Sequence, residues 1–240
     1  METPRRLRLL ARLQEGDAEL NPPRLCAVSA TVTGTTGAGI MLMSGETPDG
    51  SLGSSDDVSA LIEDLQFTLG EGPCIDAFER DRPVAEPDLA DPHEARWPAF
   101  APTALDAGAA AVFGFPMRVG GVRLGALNLY RDRPGPLTDE QHADALALAD
   151  IATKSVLVLQ ANAPMGQVAV ELEQGADFHY VVHQAAGMVA AQLDASIGHA
   201  LIRLRAYAYA HDRPLDQVAG DVVSRALRFD AGDGRTSARP

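Results

Sequence analysis

The stretch AAVFGFPMRVGGVRLGALNLYR, residues 110–131, contains the clearest structural signal in the chain. Two apolar runs, Ala110–Val119 and Val122–Arg131, are joined by Gly120-Gly121. A two-residue glycine loop suits the primed turn of an antiparallel hairpin, because both positions must accept positive φ. The stretch therefore predicts two neighbouring strands of an antiparallel sheet.

The segments around this hairpin predict a mixture of strands and helices without regular βα alternation. Thr138-Asp139-Glu140-Gln141 has the form of a capping box that opens a long helix to about Gln160. Upstream, apolar spacing predicts helices at 1–20, 56–67, 74–80 and 97–107, and strands at Leu25–Thr33 and Gly39–Ser44. We interpret Asn21-Pro22-Pro23 as the end of the first helix and Thr47–Gly53 as a turn-rich segment. We predict an α+β domain over residues 1–160, with an antiparallel sheet flanked by helices.

The pattern changes after a predicted linker at 161–169, which contains Pro164. The strand signal disappears, and three apolar stripes at helical spacing start near Phe178, Ile197 and Leu215. Asp194 or Ser196 is expected to cap the second helix. We predict an all-α three-helix domain at 170–229 and a frayed tail at 230–240.

The net charge of −13 is distributed unevenly. Residues 1–163 carry −11 and residues 164–240 only −2, while residues 195–228 hold five arginines and three aspartates. An acidic protein repels nucleic acid in general, so any nucleic-acid binding is expected in the C-terminal part. The two cysteines, Cys26 and Cys74, have the spacing of neither a metal site nor a disulfide framework, which suits a reducing compartment. The sequence has no run of 18 apolar residues and no signal-peptide pattern. We therefore expect a cytoplasmic protein without a membrane segment.

Three blocks in the C-terminal part resemble the ANTAR family over about residues 170–228. They are His183–Val189 (HQAAGMV), Ala200–Ala208 (ALIRLRAYA) and Leu215–Ala219 (LDQVA). The resemblance implies a three-helix fold that binds hairpin RNA in nascent transcripts and favours antitermination. The RNA-binding residues that it implies here are His183, Gln184, Ala185, Gly187, Arg203, Arg205 and Tyr207.

These residue types suit RNA. Gln184 can donate and accept at a base edge, and Arg203, Arg205 and Tyr207 can bind phosphates or stack on unpaired bases. Gly187 costs about 1 kcal/mol in a helix relative to alanine, which close approach of RNA would offset. The alternative is that Gly187 only permits tight helix packing. Ala186 stands where many family members carry lysine, so one phosphate contact is in doubt.

The N-terminal part resembles a GAF domain over about residues 5–160. The matching features are Gly70-Glu71-Gly72-Pro73-Cys74, the strand Phe113–Val119, and the segment Gly125–Tyr130 before Leu137-Thr138. The family implies a six-stranded antiparallel sheet with helices, often with a ligand pocket and often dimeric through terminal helices. A small-molecule ligand is therefore a possible partner, with Cys74, Trp97, Phe113 and Phe115 as candidate pocket residues.

Several points remain open at this level. Cys74 at a helix start either has a lowered thiol pKa or is a buried structural cysteine. The stripe Ala143, Leu146, Ala147, Ile151 and Leu157 either forms a homodimer contact or packs on its own sheet. No cofactor or metal site is identified, and we expect no enzymatic activity. The alternatives to RNA-binding antitermination are a DNA-binding regulator, a protein-interaction signalling protein and, less favoured, a GAF-type redox enzyme.

Overall fold

The hairpin of residues 110–131 lies inside a five-stranded antiparallel sheet in the computed structural model, which describes residues 4–15, 21–45, 47–91, 96–162, 179–229 and 236–238. The strand order is β2-β1-β5-β4-β3. The strands are β1 Gly37–Ser44, β2 Thr47–Ser54, β3 Val84–Glu86, β4 Ala111–Val119 and β5 Val122–Arg131. The prediction of an antiparallel sheet flanked by helices is confirmed, with five strands in the described residues where the family resemblance implied six.

Helices cover both faces of this sheet. One group packs together, with α2 on β1, α6 on β4 and α1 on both of these helices: α1 Pro4–Gln14, α2 Pro22–Thr33 and α6 Asp139–Asn162. The other group is α3 Asp57–Leu69, α4 Pro73–Arg80 and α5 Phe100–Asp106. Successive strand residues point to opposite faces. Gly39 faces Glu63 of α3, while Ile40 faces the other layer and lines a small cavity with Pro22 of α2 and Val156 of α6.

The predicted strand Leu25–Thr33 is wrong, because these residues belong to the helix α2. Asn21 is its N-cap and accepts a hydrogen bond from the backbone nitrogen of Arg24 at 2.9 Å. Pro22-Pro23 therefore begins a helix instead of ending one, since proline fits the first helical turn. Gly34 ends the helix in the left-handed conformation, with φ of 60°.

The turn-rich interpretation of Thr47–Gly53 is also wrong, because this segment forms the edge strand β2. Its pairing with β1 shifts register twice, between Ile40 and Met41 and between Leu42 and Met43. Proline and glycine are tolerated in edge strands and at bulges. The turn-forming composition of this segment therefore marks an irregular edge.

The predicted capping box at the start of α6 is present. The backbone nitrogen of Thr138 donates to Gln141 Oε1 at 2.9 Å, and the backbone nitrogen of Gln141 donates to Thr138 Oγ1 at 3.2 Å. The same helix holds α1 through Asp144, which forms an ion pair with Arg5 at 2.8 Å and accepts a hydrogen bond from Arg8 at 2.7 Å. These contacts fix α1 on the start of α6.

The chain divides into two compact units, Met1–Asp177 and Phe178–Pro240. The second contains α7 Tyr180–Leu193, α8 Ile197–Ala210 and α9 Leu215–Val223, each with one buried apolar stripe. Ser196 caps α8 by accepting from the backbone nitrogen of His199. Residues 161–162 of the predicted linker at 161–169 belong to α6. The rest of that linker, 163–169, and the start of the predicted domain, 170–178, lie outside the described residues.

A short hairpin follows the three helices, although we predicted no strand after the linker. It pairs β6 Leu227–Phe229 with β7 Thr236–Ala238. Leu227 and Phe229 are buried, so the hairpin extends the small core of the unit. The remainder of the predicted tail, 230–235 and 239–240, lies outside the described residues.

Within the part of the chain that the structure describes, no single helix combines the length and apolar composition needed to cross a membrane. Helices α7 and α8 reach this length and apolar composition only when they are taken together, and they are bent by 106° relative to each other.

Candidate functional site

A fully buried glutamate lies between α3 and the sheet. The Glu63 side chain accepts hydrogen bonds from Asn128 Nδ2 at both carboxylate oxygens, at 2.8 and 3.1 Å. Asn128 is on β5 directly opposite Gly39 of β1. A Cβ atom at Gly39 would lie 2.4 Å from Glu63 Oε1, so glycine is needed for the carboxylate to rest on the strand.

This environment favours the neutral form of the glutamate. Burial raises the pKa of Glu63 to about 8, against a smaller opposite effect of the Asn128 hydrogen bond. A carboxyl group with this pKa exchanges its proton near neutral pH. Perturbed titratable groups in a pocket are candidates for functional sites.

A second carboxylate caps α3 beside it. Asp56 accepts from the hydroxyl groups of Tyr130 at 2.9 Å and Ser59 at 2.7 Å, and from the backbone nitrogen of Ser59 at 2.9 Å. Burial acts to raise the pKa of Asp56, but hydrogen bonds led by that of Ser55 lower it overall. Burial raises the pKa of Tyr130, and its bond to Asp56 adds to the effect. Asp56 is therefore a fixed anion, whereas Glu63 is a proton-exchanging group.

A cavity of about 10 Å³ borders these groups. Among the described residues, Asn128 Oδ1 has no hydrogen-bond partner although Asn128 is only 3% exposed. The polar side chains at the cavity come from α3 and β5, and they are Ser59, Glu63, Asn128 and Tyr130. Sequence reasoning missed this cluster, because Glu63 and Asn128 are 65 positions apart. Asn128 lies in the segment Gly125–Tyr130 that resembles the GAF family, but that resemblance did not indicate a partner for its side chain.

The predicted pocket residues do not share one site. Cys74 is on α4, and its backbone nitrogen donates to Gln66 Oε1 at 2.7 Å on the Glu63 side of the sheet. Phe115 contacts His142 of α6, and Phe113, two residues earlier, has the same orientation, so both phenylalanines face the other layer of helices. Trp97 is buried and packs edge-on against Phe100.

The lowered thiol pKa considered for Cys74 is wrong. Burial raises the pKa of Cys74 well above its usual value, and the carboxylate of Glu63 adds to the effect. Burial and Glu63 act in the same direction on Cys26. Cys74 is therefore the buried structural cysteine of the two alternatives.

Both thiols are expected to resist alkylation in the native protein. At pH 8, iodoacetamide should leave Cys26 and Cys74 unmodified, because it reacts with exposed thiolates. Both should react within minutes in denaturant, as followed by mass spectrometry. Rapid native labelling of Cys74 would contradict the buried, high-pKa thiol.

A larger groove of about 750 Å³ lies between α1, α2 and the start of α6. Its arginines are already engaged: Arg8 binds Asp144, Arg12 binds Glu15, and Arg24 donates to the backbone oxygen of Leu13. The groove therefore has balanced charge and is not an anion site. No cluster of three potential metal ligands occurs among the described residues.

In the second unit, the predicted RNA-binding residues fall on different surfaces of the helices. Gln184 and Gly187 are exposed and three residues apart, so they share the outer face of α7. A Cβ at Gly187 would meet no atom within 4 Å. Ala185 and its neighbour Ala186 are fully buried in the helical core and are not part of an exposed surface.

The predicted residues of α8 also separate. Arg203 is exposed, whereas Arg205 is half-buried and burial lowers its pKa to about 10. Tyr207 stacks on His211 at 3.9 Å and packs edge-on against Phe229 at 5.6 Å, so its ring is engaged within the unit. Residues two apart in a helix lie on nearly opposite sides, so Arg205 and Tyr207 do not share one face. His183 is half-buried on α7.

A match to a family model agrees with the fold of the first unit. A family model described as GAF domain matches residues 24–153. Similar solved structures are the GAF domains of phosphoenolpyruvate-protein phosphotransferases from Coxiella burnetii and Acinetobacter and a type II free methionine-R-sulfoxide reductase from Thermoplasma acidophilum. Their identities are 16%, 12% and 16%, and their TM-scores are 0.49, 0.49 and 0.42. The matches cover 65%, 69% and 62% of this chain and 95%, 99% and 90% of the other chains. No curated protein matches the chain significantly.

Proposed function

Because the chain belongs to the GAF domain family, we propose that its first unit senses a signal and controls RNA binding by the helical second unit. The output proposed is recognition of hairpin RNA in nascent transcripts and regulation of antitermination. The chain is then a regulator and not an enzyme, and the burial and raised pKa of both cysteines support this for thiol chemistry.

The open position of Gly187 is the observation that carries the RNA proposal. Glycine in a helix interior costs about 1 kcal/mol relative to alanine. Packing among the described residues does not require it, since no atom lies within 4 Å of its Cβ position. Since internal packing does not explain the glycine, we attribute it to a partner molecule that approaches the Gln184–Gly187 face closely.

Binding of the purified full chain to RNA tests this proposal. The chain should bind tandem RNA hairpins in preference to duplex DNA of the same length. Arg203→Ala should weaken hairpin binding across sequences and reduce the salt dependence by about one unit of slope, as expected for one lost phosphate contact. Fluorescence anisotropy at several salt concentrations measures both quantities.

Arg133→Ala is the matched control, because Arg133 is an equally exposed arginine in the first unit. It should leave the hairpin affinity unchanged. Equal losses in both variants would indicate non-specific attraction only. A preference for duplex DNA would favour the DNA-binding alternative, and no binding to either would favour a protein-interaction role.

We also propose a homodimer through α6. Of the predicted stripe, Leu146 and Leu157 are partly exposed, at 42% and 37%, whereas Ile151 is buried in its own unit. Val158 beside them is 60% exposed. Leu146 and Leu157 are eleven residues apart, close to three full turns, so they share one face.

Val158→Glu should convert the dimer into a monomer, because it places a charge in the apolar contact. Sedimentation velocity measures the molecular mass. Val122→Glu is the control, since Val122 is an apolar residue of similar exposure, 58%, at the start of β5. A wild-type chain that is monomeric at all concentrations would exclude the dimer.

A further inference from the structure

We propose that the cavity beside Glu63 and Asn128 binds the ammonium group of a small amine. The proposal deepens the sensing role proposed above and depends on that role, but not on the RNA output. It follows from the hydrogen-bonding capacity, the charge and the size of the cavity.

Hydrogen-bond acceptors outnumber donors among the polar atoms of Glu63 and Asn128 at the cavity. A carboxylate offers about four lone-pair sites, yet both Glu63 oxygens accept from the same Asn128 nitrogen. Asn128 Oδ1, also buried, has no partner among the described residues. Asn128 Oδ1 therefore lacks a donor, and the two Glu63 oxygens have accepting capacity to spare. A primary ammonium group, which carries three N–H donors and no acceptor, matches this set of atoms.

No positive charge balances Glu63 from the elements packed around it. The residues that line the cavity include no lysine, arginine or histidine within the described ranges. The titratable neighbours are Asp56 on α3, Tyr130 on β5, Cys74 on α4 and Cys26 on α2. All four are acids, so none supplies a cation. Removing a charge from water costs several kcal/mol unless it is paired, and a ligand cation would be that partner.

The cavity also limits the size of the ligand group. A volume of about 10 Å³ corresponds to about one water-sized probe. An ammonium head is of this size, whereas a quaternary ammonium with four methyl groups is much larger and has no N–H donor. Ile62 and Pro73 also line the cavity, so a substituent on the nitrogen would meet apolar side chains and should be small.

Binding of the amine exchanges one cation for another at the carboxyl group. Below pH 8 Glu63 holds a proton. When the ammonium ion enters, the O–H bond breaks, the proton leaves to solvent, and the carboxylate–ammonium pair forms, so charge is conserved in the cavity. Between pH 6 and pH 8 Cys26, Cys74 and Tyr130 stay neutral and Asp56 stays ionised, so Glu63 alone among these groups changes state.

Titration of the full chain with methylammonium chloride tests the proposal. Tetramethylammonium chloride and sodium chloride at equal ionic strength serve as ligand controls. We expect saturable thermal stabilisation by methylammonium alone. The apparent association constant should rise about 50-fold from pH 6 to pH 8, as the ionised fraction of an acid with a pKa of 8 does. Calorimetry in two buffers of different ionisation enthalpy should show release of about one proton at pH 7.

Glu63→Gln keeps the side-chain shape and removes the charge, so it should abolish the methylammonium response. Glu79→Gln, at an exposed position of α4, should retain it. An equal response to tetramethylammonium, retained binding in Glu63→Gln, or no saturable response would each overturn the ammonium site. RNA binding measured without any amine is an independent readout. A chain that binds hairpin RNA but not methylammonium would overturn the amine site and leave the regulatory function standing.

Discussion

Glu63→Gln is expected to stabilise the first unit above neutral pH and to flatten its pH dependence. In the folded chain the pKa of Glu63 is about 8, whereas an unfolded glutamate titrates near 4.3. Between these values the folded state binds one more proton than the unfolded state. The stability that this group contributes is therefore complete below the unfolded pKa and is lost as the pH rises towards 8.

The expected slope is about −1.4 kcal/mol per pH unit, so the wild-type unit should lose about 3 kcal/mol between pH 5.5 and pH 7.5 from this group. Glutamine has no proton to lose, and its amide can still hydrogen bond with Asn128. Urea unfolding of wild type and Glu63→Gln over this pH range measures the difference. Glu79→Gln, exposed on α4, should keep the wild-type slope.

A wild-type slope that survives in Glu63→Gln would show that another group carries the pH dependence. The neighbouring carboxyl group, Asp56, contributes no slope in this range, because its lowered pKa makes the fold less stable only as the pH falls below about 3.9. The pH range in which stability changes thus separates the two carboxyl groups.

Gly187→Ala is expected to strengthen the helical unit and to weaken RNA binding. Alanine gains about 1 kcal/mol over glycine inside a helix, and at this position the new methyl group meets no atom. In a unit of this size that gain raises the unfolding midpoint by about 4–8 °C. The same methyl group projects from the face that carries Gln184, so hairpin affinity should fall at least about tenfold, a loss of about 1.4 kcal/mol.

Gly220→Ala provides the matched control. Gly220 lies inside α9, and a Cβ there also meets no atom within 4 Å. It should raise the midpoint by a similar amount without changing RNA affinity. Calorimetry and fluorescence anisotropy on both variants therefore separate stability from binding. Equal RNA affinities for Gly187→Ala and wild type would remove the main support for this face as the RNA site.

The sequence was most informative where local signals and packing agree. The hairpin of residues 110–131, the capping box at Thr138 and the amphipathic stripes of the last three helices are local patterns, and all three are present. The error at Leu25–Thr33 arose because Asn21-Pro22-Pro23 suits both the end and the beginning of a helix. The buried side chains that decide between them, such as Leu25 and Ser29, contribute only after the chain folds.

The candidate sites were less accessible to sequence reasoning. Phe113 and Phe115 alternate with Gly114, so the pleat places them on the α6 side, while Pro73 of α4 approaches Gly114. A pocket drawn from aromatic residues thus combined two faces of the sheet. The Glu63–Asn128 pair depends on strand register, which composition does not reveal. In the helical unit, the family resemblance named Tyr207 as an RNA-binding residue, but it did not reveal that its ring is engaged by His211.

Gly39 has a consequence for how a chemical event at Glu63 can travel. The carboxyl group rests on the bare peptide backbone of β1, and the next residue along that strand, Ile40, faces the other layer, where it lines a small cavity with Pro22 and Val156. The strand β1 therefore separates the proton-exchanging group from α2 and α6. A shift of this strand by a fraction of an ångström would reach the proposed dimer helix through the single side chain of Ile40.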